Sequence, residues 1–440
     1  MSGFHFLRKE PEIMAEMMRR ELFPGVWLRA IHTTKFKSAY LSVNLLTGLE
    51  PDCVGANALI PSVLRRGSCA HPDMESLSAE LDELYGGAIE PVVRKKGETQ
   101  CVGFVASFLD DAYTLGGEQI LESAAGLLGE LLLSPYTENG VFSDAYVQGE
   151  KANLIDRIRG QINDKRTYAS HRLVELMCQE EAFGVNKLGD ESSVAALDAK
   201  TLWEHYRNLL SDARVELYYC GSAGFERVEE ALKKAFSSLP VSTQRYENTC
   251  QVRDCVEREP AVVEETMEIS QGKLALGFRT GGVNCYSEDF PAMVLCNAVF
   301  GGTTLSKLFM NVREKLSLCY YASSTMDKLK GLVLVSSGIE FAKYQQAKDE
   351  ILAQLDAICR GELEDWELEG SRRTLIGAYR AMLDEQGRQE EFWLGQSVAG
   401  QEQDPDEVAA LLENVTREDV ARAAKKLELD TIYFLKGKES

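Results

Sequence analysis

The 440 residues carry 69 acidic and 48 basic side chains, a net charge of −21, which argues against a general phosphate-backbone binder because such proteins need a basic footprint to release counterions. No apolar run reaches the roughly 18–20 residues of a membrane helix. A hydrophobic content of 45% with 27% charged residues is a globular composition, and this length suits two domains of roughly 200 residues each.

The first half opens with two strand-like runs, residues 27–32 and 39–45, the second alternating apolar with polar as a half-buried strand does. A helix is predicted over 55–66. It is followed by an amphipathic helix with Met74, Leu77, Leu81 and Leu84 on one stripe and Gly86-Gly87 as its stop. Strands at 88–94 and 101–108 precede helices over about 118–134, 141–163 and 198–210. A strand at 214–220, ended by Gly221, leads into a helix reaching Ser237. A polar segment, 241–260, reads as a linker.

The second half replays that order. A strand at 273–278 precedes a helix over about 290–300, and Gly301-Gly302 leads into a helix bearing Leu305, Leu308, Phe309 and Val312. Strands at 318–323 and 332–338 and helices over 342–360, 363–385 and 388–398 follow. A short helix opens at 415–420, and a strand at 431–435 ends at Gly437. A repeat this long implies duplication of a domain rather than a solenoid. The expected fold is α+β: two homologous domains, 1–240 and 261–440, each a largely antiparallel sheet packed with helices.

Residues 1–10 meet charges early and lack a signal-peptide core. The eleven cysteines form no Cys-x-x-Cys pair, Cys250 and Cys255 being the nearest approach. Reduced thiols in a cytoplasmic protein follow from that spacing. His5, His32, His71, His171 and His205 include no pair three or four apart, so no helix offers two imidazoles to a metal. The common nucleotide-binding glycine loops and the Gly-x-Ser-x-Gly elbow are absent.

One segment stands apart. Gly301-Gly302-Thr303-Thr304 starts a helix, Arg313-Glu314-Lys315 ends it, and Tyr320 lies in the strand that follows. A surface arginine and a strand tyrosine are both common, so composition alone favours the bland reading. The segment, however, resembles the second-domain signature of the pitrilysin/insulinase-type zinc peptidases, the inverzincins, and the opening strands at 25–45 and the paired domains resemble that family too. The resemblance implies that Arg313 and Tyr320 bind a peptide substrate beside a zinc. A guanidinium can grip a carbonyl or carboxylate, and a phenol can donate to the oxyanion at a scissile carbonyl.

The first half departs from the pattern. Catalytic members carry His-x-x-Glu-His, two imidazole ligands and a general base. Anchored on Gly67-Ser68, the five places here hold Ala58, Leu59, Ile60, Pro61 and Ser62. With Glu150 as the earlier helical glutamate, the third ligand place falls at Arg157.

The resemblance therefore implies a zinc-free, non-catalytic subunit with no cofactor of its own, which supplies Arg313 and Tyr320 to a zinc-bearing paralogous partner acting on an unfolded peptide. In isolation it could form a homodimer. By resemblance, chains of this type are also associated with modification of translation elongation factor P. The alternatives are a structural or peptide-binding scaffold indifferent to Arg313 and Tyr320, and a free-standing enzyme using an unrecognised site such as a cysteine.

Overall fold

A computed structural model describes residues 16–242, 244–248, 252–256 and 258–438. The expectations for residues 1–10 and for Cys250 fall outside them.

In chain order the first half contains β1 (Glu16–Phe23), β2 (Val26–His32), β3 (Ser38–Gly48), α1 (Val54–Leu64), α2 (Met74–Glu83), β4 (Ala88–Lys96), β5 (Thr99–Leu109) and α3 (Leu121–Leu133). A two-residue ribbon, β6 (Thr137–Glu138) with β7 (Val141–Phe142), comes next. Then follow α4 (Asp144–Gly160), α5 (Lys165–Met177), α6 (Glu191–Ala196), α7 (Ala199–Asp212), β8 (Arg214–Gly221) and α8 (Phe225–Ala235). The sheet order is β1-β2-β8-β3-β5-β4, and β2 and β8 are its one parallel pair.

The second half contains β9 (Ala261–Met267), β10 (Gly272–Arg279), α9 (Phe290–Asn297), β11 (Cys319–Asp327), β12 (Leu332–Ile339) and α10 (Tyr344–Cys359). After these come α11 (Asp365–Met382), α12 (Gln386–Ala399), α13 (Pro405–Glu413), α14 (Arg417–Ala424) and β13 (Glu428–Gly437). Its sheet runs β11-β12-β10-β13-β9, again with a single parallel pair, β13 with β9. The late strand of each half thus returns to the centre of its own sheet, as a duplicated α+β unit requires.

Strand alternation decides what covers each sheet. Leu41, Val43 and Leu45 of β3 and Leu217 and Tyr219 of β8 point to one face and form the first core with the helices of their own half. The opposite face is polar, with Arg29, Ser42, Asn44, Glu216 and Tyr218. It is covered by α12, which comes from the other half. Glu390 of α12 accepts from Ser42 Oγ (2.8 Å), Asn44 Nδ2 (3.1 Å) and Arg94 (2.6 Å). The Gln386 amide donates to the carbonyls of Ser38 and Cys220.

The exchange is reciprocal. Helix α5 of the first half lies on the second sheet, where Ala169 and Leu173 meet Ala275, Tyr433 and Leu435. Gly277 makes room for it, since a Cβ there would stand 2.5 Å from Met177 Sδ. The two halves are further joined by a buried ion network. Lys330 Nζ lies 2.5 Å from both Glu98 and Glu181. Arg279 donates to Glu181 and Asp430 at 2.8 and 2.9 Å.

Three expectations are adjusted. Met74 is exposed rather than on the buried stripe of α2, because α2 starts there, while Leu77, Leu81 and Leu84 reach the core. The helix expected through Leu305–Val312 is wound as wider π turns over Leu308–Lys315. Helix α5, left unassigned from sequence, is real and bridges the halves.

Candidate functional site

Helix α1 is built from a run, VGANALIPSVL, that is apolar on every side, and nearly all of it is buried. Pro61 stands inside it. Proline has no N–H to give the carbonyl of Asn57, a cost that packing on both sides sustains. Ala58, Leu59 and Ile60 are core residues. The polar side chain of this helix, Asn57, is committed elsewhere: Nδ2 donates to Gln100 Oε1 (2.9 Å) and Oδ1 meets His205 Nε2 (2.7 Å). On the facing α4, Glu150 pairs with Arg66 at 3.3 Å. Arg157 is exposed and makes no ion pair among the described residues.

A divalent zinc site needs imidazole, thiolate or carboxylate donors at about 2.0–2.3 Å. Ala58 and Pro61 offer none, Ser62 offers a neutral hydroxyl, and Arg157 would bring a cation against a dication. These residues do not fit the metal. Among the described residues no group of three or more His, Cys, Asp or Glu side chains is arranged to hold one.

His32, His71 and His205 serve local bonds. His71 Nδ1 meets Glu130 at 3.0 Å, and His32 Nδ1 meets the Ala223 carbonyl at 3.3 Å. Five of the described cysteines are buried. Burial pushes the Cys101 and Cys178 thiols up to about 12 and those of Cys220 and Cys285 up to about 11. A nucleophilic cysteine needs the opposite, a lowered thiol pKa.

Arg313 and Tyr320 sit differently. The π-wound segment Leu308–Lys315 packs on β11 through Leu308 and Val312, both fully buried. Its end is closed by Ser317 in the left-handed region (φ +50°), with Leu318 N–H donating to the Val312 carbonyl at 3.0 Å. That closure turns the chain straight into β11, an edge strand. The Arg313 guanidinium lies 4.6 Å over the Phe309 ring and 3.5 Å from Glu314, and its side chain remains 40% exposed. Stacking on the ring holds it while leaving donors open.

Tyr320 occupies a β-bulge: Cys319 pairs with Ile339 and Tyr321 with Gly338, so Tyr320 is the extra residue between them. A bulge re-aims its side chain, and Tyr320 is 60% exposed. Ser317, the π turns and the bulge place local irregularity around both residues, a pattern found at functional sites. Two further cations, Arg166 and Lys187, carry only a weak signal in sequence, a basic residue at a helix start and a lysine in a loop, until the fold brings Lys187 near Arg157 and seats Arg166 on β11.

Residues 196–375 match the family model described as the Peptidase M16 inactive domain. The chain is 34% identical over 415 residues to the probable inactive metalloprotease YmfF of Bacillus subtilis, covering 94% of this chain and 96% of that one. It superimposes on a conserved protein from Enterococcus faecalis V583 with a TM-score of 0.88, at 28% identity, over 96% of this chain and 99% of the other. A peptidase M16 inactive domain from Pseudomonas fluorescens has the same fold at 15% identity, with a TM-score of 0.75 over 97% and 99% of the two chains.

Proposed function

The chain belongs to the M16 peptidase family, the pitrilysin/insulinase type, and on that premise we propose that it is the non-catalytic subunit of a heterodimeric zinc metallopeptidase. One observation carries the reading. The positions that would hold the metal are filled by Ala58, Ser62 and Arg157, and that of the general base by Pro61, on two packed helices, while Arg313 and Tyr320 stand exposed on an irregular, well-braced edge. A group braced in place but left without a buried partner is suited to a ligand that comes from outside.

In this reading the partner chain, a paralogue carrying His-x-x-Glu-His, holds the zinc. This chain faces it and supplies Arg313 to a substrate carbonyl or carboxylate and the Tyr320 hydroxyl to the developing oxyanion. The unfolded peptide lies partly as an added strand on a sheet edge. On β4, an edge strand, Pro91 has no N–H to lose to an unpaired position, and Arg65 already donates to the Ile89 carbonyl at 2.7 Å.

The test is cleavage of a quenched peptide library by the zinc-bearing paralogue, with and without this chain. Strong activation is expected. A complex that forms without activation would instead favour the scaffold, and activity from this chain alone would overturn both.

A further inference from the structure

In a chain of net charge −21, four cations stand around the connection from α4 to α5 and in the loop before α6. Arg157 stands in the last turn of α4, Lys165 and Arg166 in the first turn of α5, and Lys187 in the loop before α6. None of the four forms an ion pair among the described residues. The nearby carboxylates are committed: Asp164 caps α5 by accepting from the N–H groups of Arg166 and Thr167 at 3.0 and 3.2 Å, and Glu391 binds Lys96 and Arg94.

The placement costs energy. Lys165 and Arg166 sit at the positive end of the α5 dipole, where cations are disfavoured, and no acidic residue shares that turn. Burial pushes the Lys187 ammonium below the ordinary lysine value; Glu391 opposes this, while Arg157, Arg94 and Lys96 add to it. Around Lys187 the cations Arg157, Arg94 and Lys96 oppose the carboxylate of Glu391, so that neighbourhood gains when a further anion arrives.

Arg166 reaches the edge that carries Tyr320. The Arg166 guanidinium lies 4.1 Å over the Tyr321 ring and donates to Ser323 Oγ at 3.1 Å. Both partners belong to β11, so Arg166 is held on the strand that carries Tyr320, with donors left over. Positive side chains therefore stand both at the place of the absent third ligand, where Lys187 feels Arg157, and on β11, where Arg166 is seated.

We propose that the peptide taken by this chain is acidic, its side-chain carboxylates read by Arg157, Lys187 and Arg166. This rests on the peptide-binding reading above and names the substrate class. Carboxylate and guanidinium match as paired acceptors and donors.

The test is fluorescence anisotropy of the full chain with labelled peptides matched in length and apolar content but bearing Asp/Glu, neutral or Lys side chains. The acidic peptide is expected to bind at least about tenfold more tightly than the neutral one at low salt, with the advantage shrinking as salt screens it. Arg157→Glu/Arg166→Glu should erase that preference while circular dichroism stays unchanged; if that variant misfolds, the salt dependence of the wild-type preference decides. Equal binding of the three peptides, no binding of the acidic one, or tighter binding of a single-stranded oligonucleotide would overturn the proposal. None of those results touches the composite-site reading, which stands or falls on turnover with Arg313→Ala. Conversely, loss of that reading with the acidic preference intact would leave a peptide-binding scaffold.

Discussion

Replacing Lys330 by Met removes the cation at the centre of the contact between the halves. Lys330 is fully buried, and its ammonium lies 2.5 Å from Glu98 of the β4–β5 turn and 2.5 Å from Glu181 beyond α5. Glu181 would keep Arg279 at 2.8 Å, but Glu98 would lose its buried cation. Breaking a buried pair by deleting one partner costs about 3–5 kcal/mol. With an unfolding entropy of about 2.1 cal/mol/K per residue, that is a fall of roughly 3–5 °C in the melting midpoint if both halves unfold together.

Calorimetry and urea titration of Lys330→Met against the parent chain measure it. The double variant Lys330→Met/Glu98→Gln should recover part of the loss, because the buried charge left behind is then gone. A single-variant cost under about 1 kcal/mol, or a double variant no better than the single, would refute the idea that buried ion pairing holds the halves together.

The pH dependence has a definite sign. Burial works against the Lys330 ammonium, but hydrogen bonds to Glu181 and Glu98 outweigh it and raise its pKa. Its contribution is therefore full below the unfolded lysine value and is lost as pH rises through the folded one. Burial likewise opposes ionisation of Glu181, and the bonds from Arg279 and Lys330 override it and lower its pKa. That contribution is present above the unfolded glutamate value and is lost as pH falls through the folded one.

Two further outcomes are expected. Leu173→Ala, which empties the fully buried contact of α5 with the second sheet, should cost about 2–5 kcal/mol in urea unfolding; a cost below about 1 kcal/mol would mean that α5 is not a structural bridge. Chelator treatment of the purified chain should leave its melting midpoint unmoved, since the ligand places hold Ala58, Ser62 and Arg157; stoichiometric zinc by elemental analysis would contradict this.

Much of the fold is legible because its signals are local. The alternation at 39–45 and the stripe of Leu77 and Leu81 point to the strand β3 and the helix α2. The arrangement of the two sheets follows from the repeat. What escapes is what depends on the other half. The buried face of α5, Ala169, Leu173 and Met177, lies among Arg, Thr, Tyr and His and finds its complement on a sheet more than 90 positions later.

Strands β1 and β9 lie at sheet edges and are largely solvent-facing, so their sequences, EMMRRELF and AVVEETM, lack the apolar face that marks a strand. The π winding near Arg313 has no signature either, since the four-residue spacing of Leu308 and Val312 is about one turn in both α and π geometry. At the candidate site, the residues that would serve as ligands are visible as substitutions in sequence. The bulge that turns Tyr320 outward and the ring that holds Arg313 are visible only in the packed structure.

The most direct test of the central claim is turnover by the complex of this chain with its zinc-bearing paralogue when this chain carries Arg313→Ala. Losing one group that stabilises a transition state typically costs roughly 100- to 1,000-fold, and a fall of that size, with the complex intact by light scattering and the chain folded by circular dichroism, is expected. Turnover within a few-fold of the parent complex would show that Arg313 is not part of the working site, and the chain would then be a scaffold.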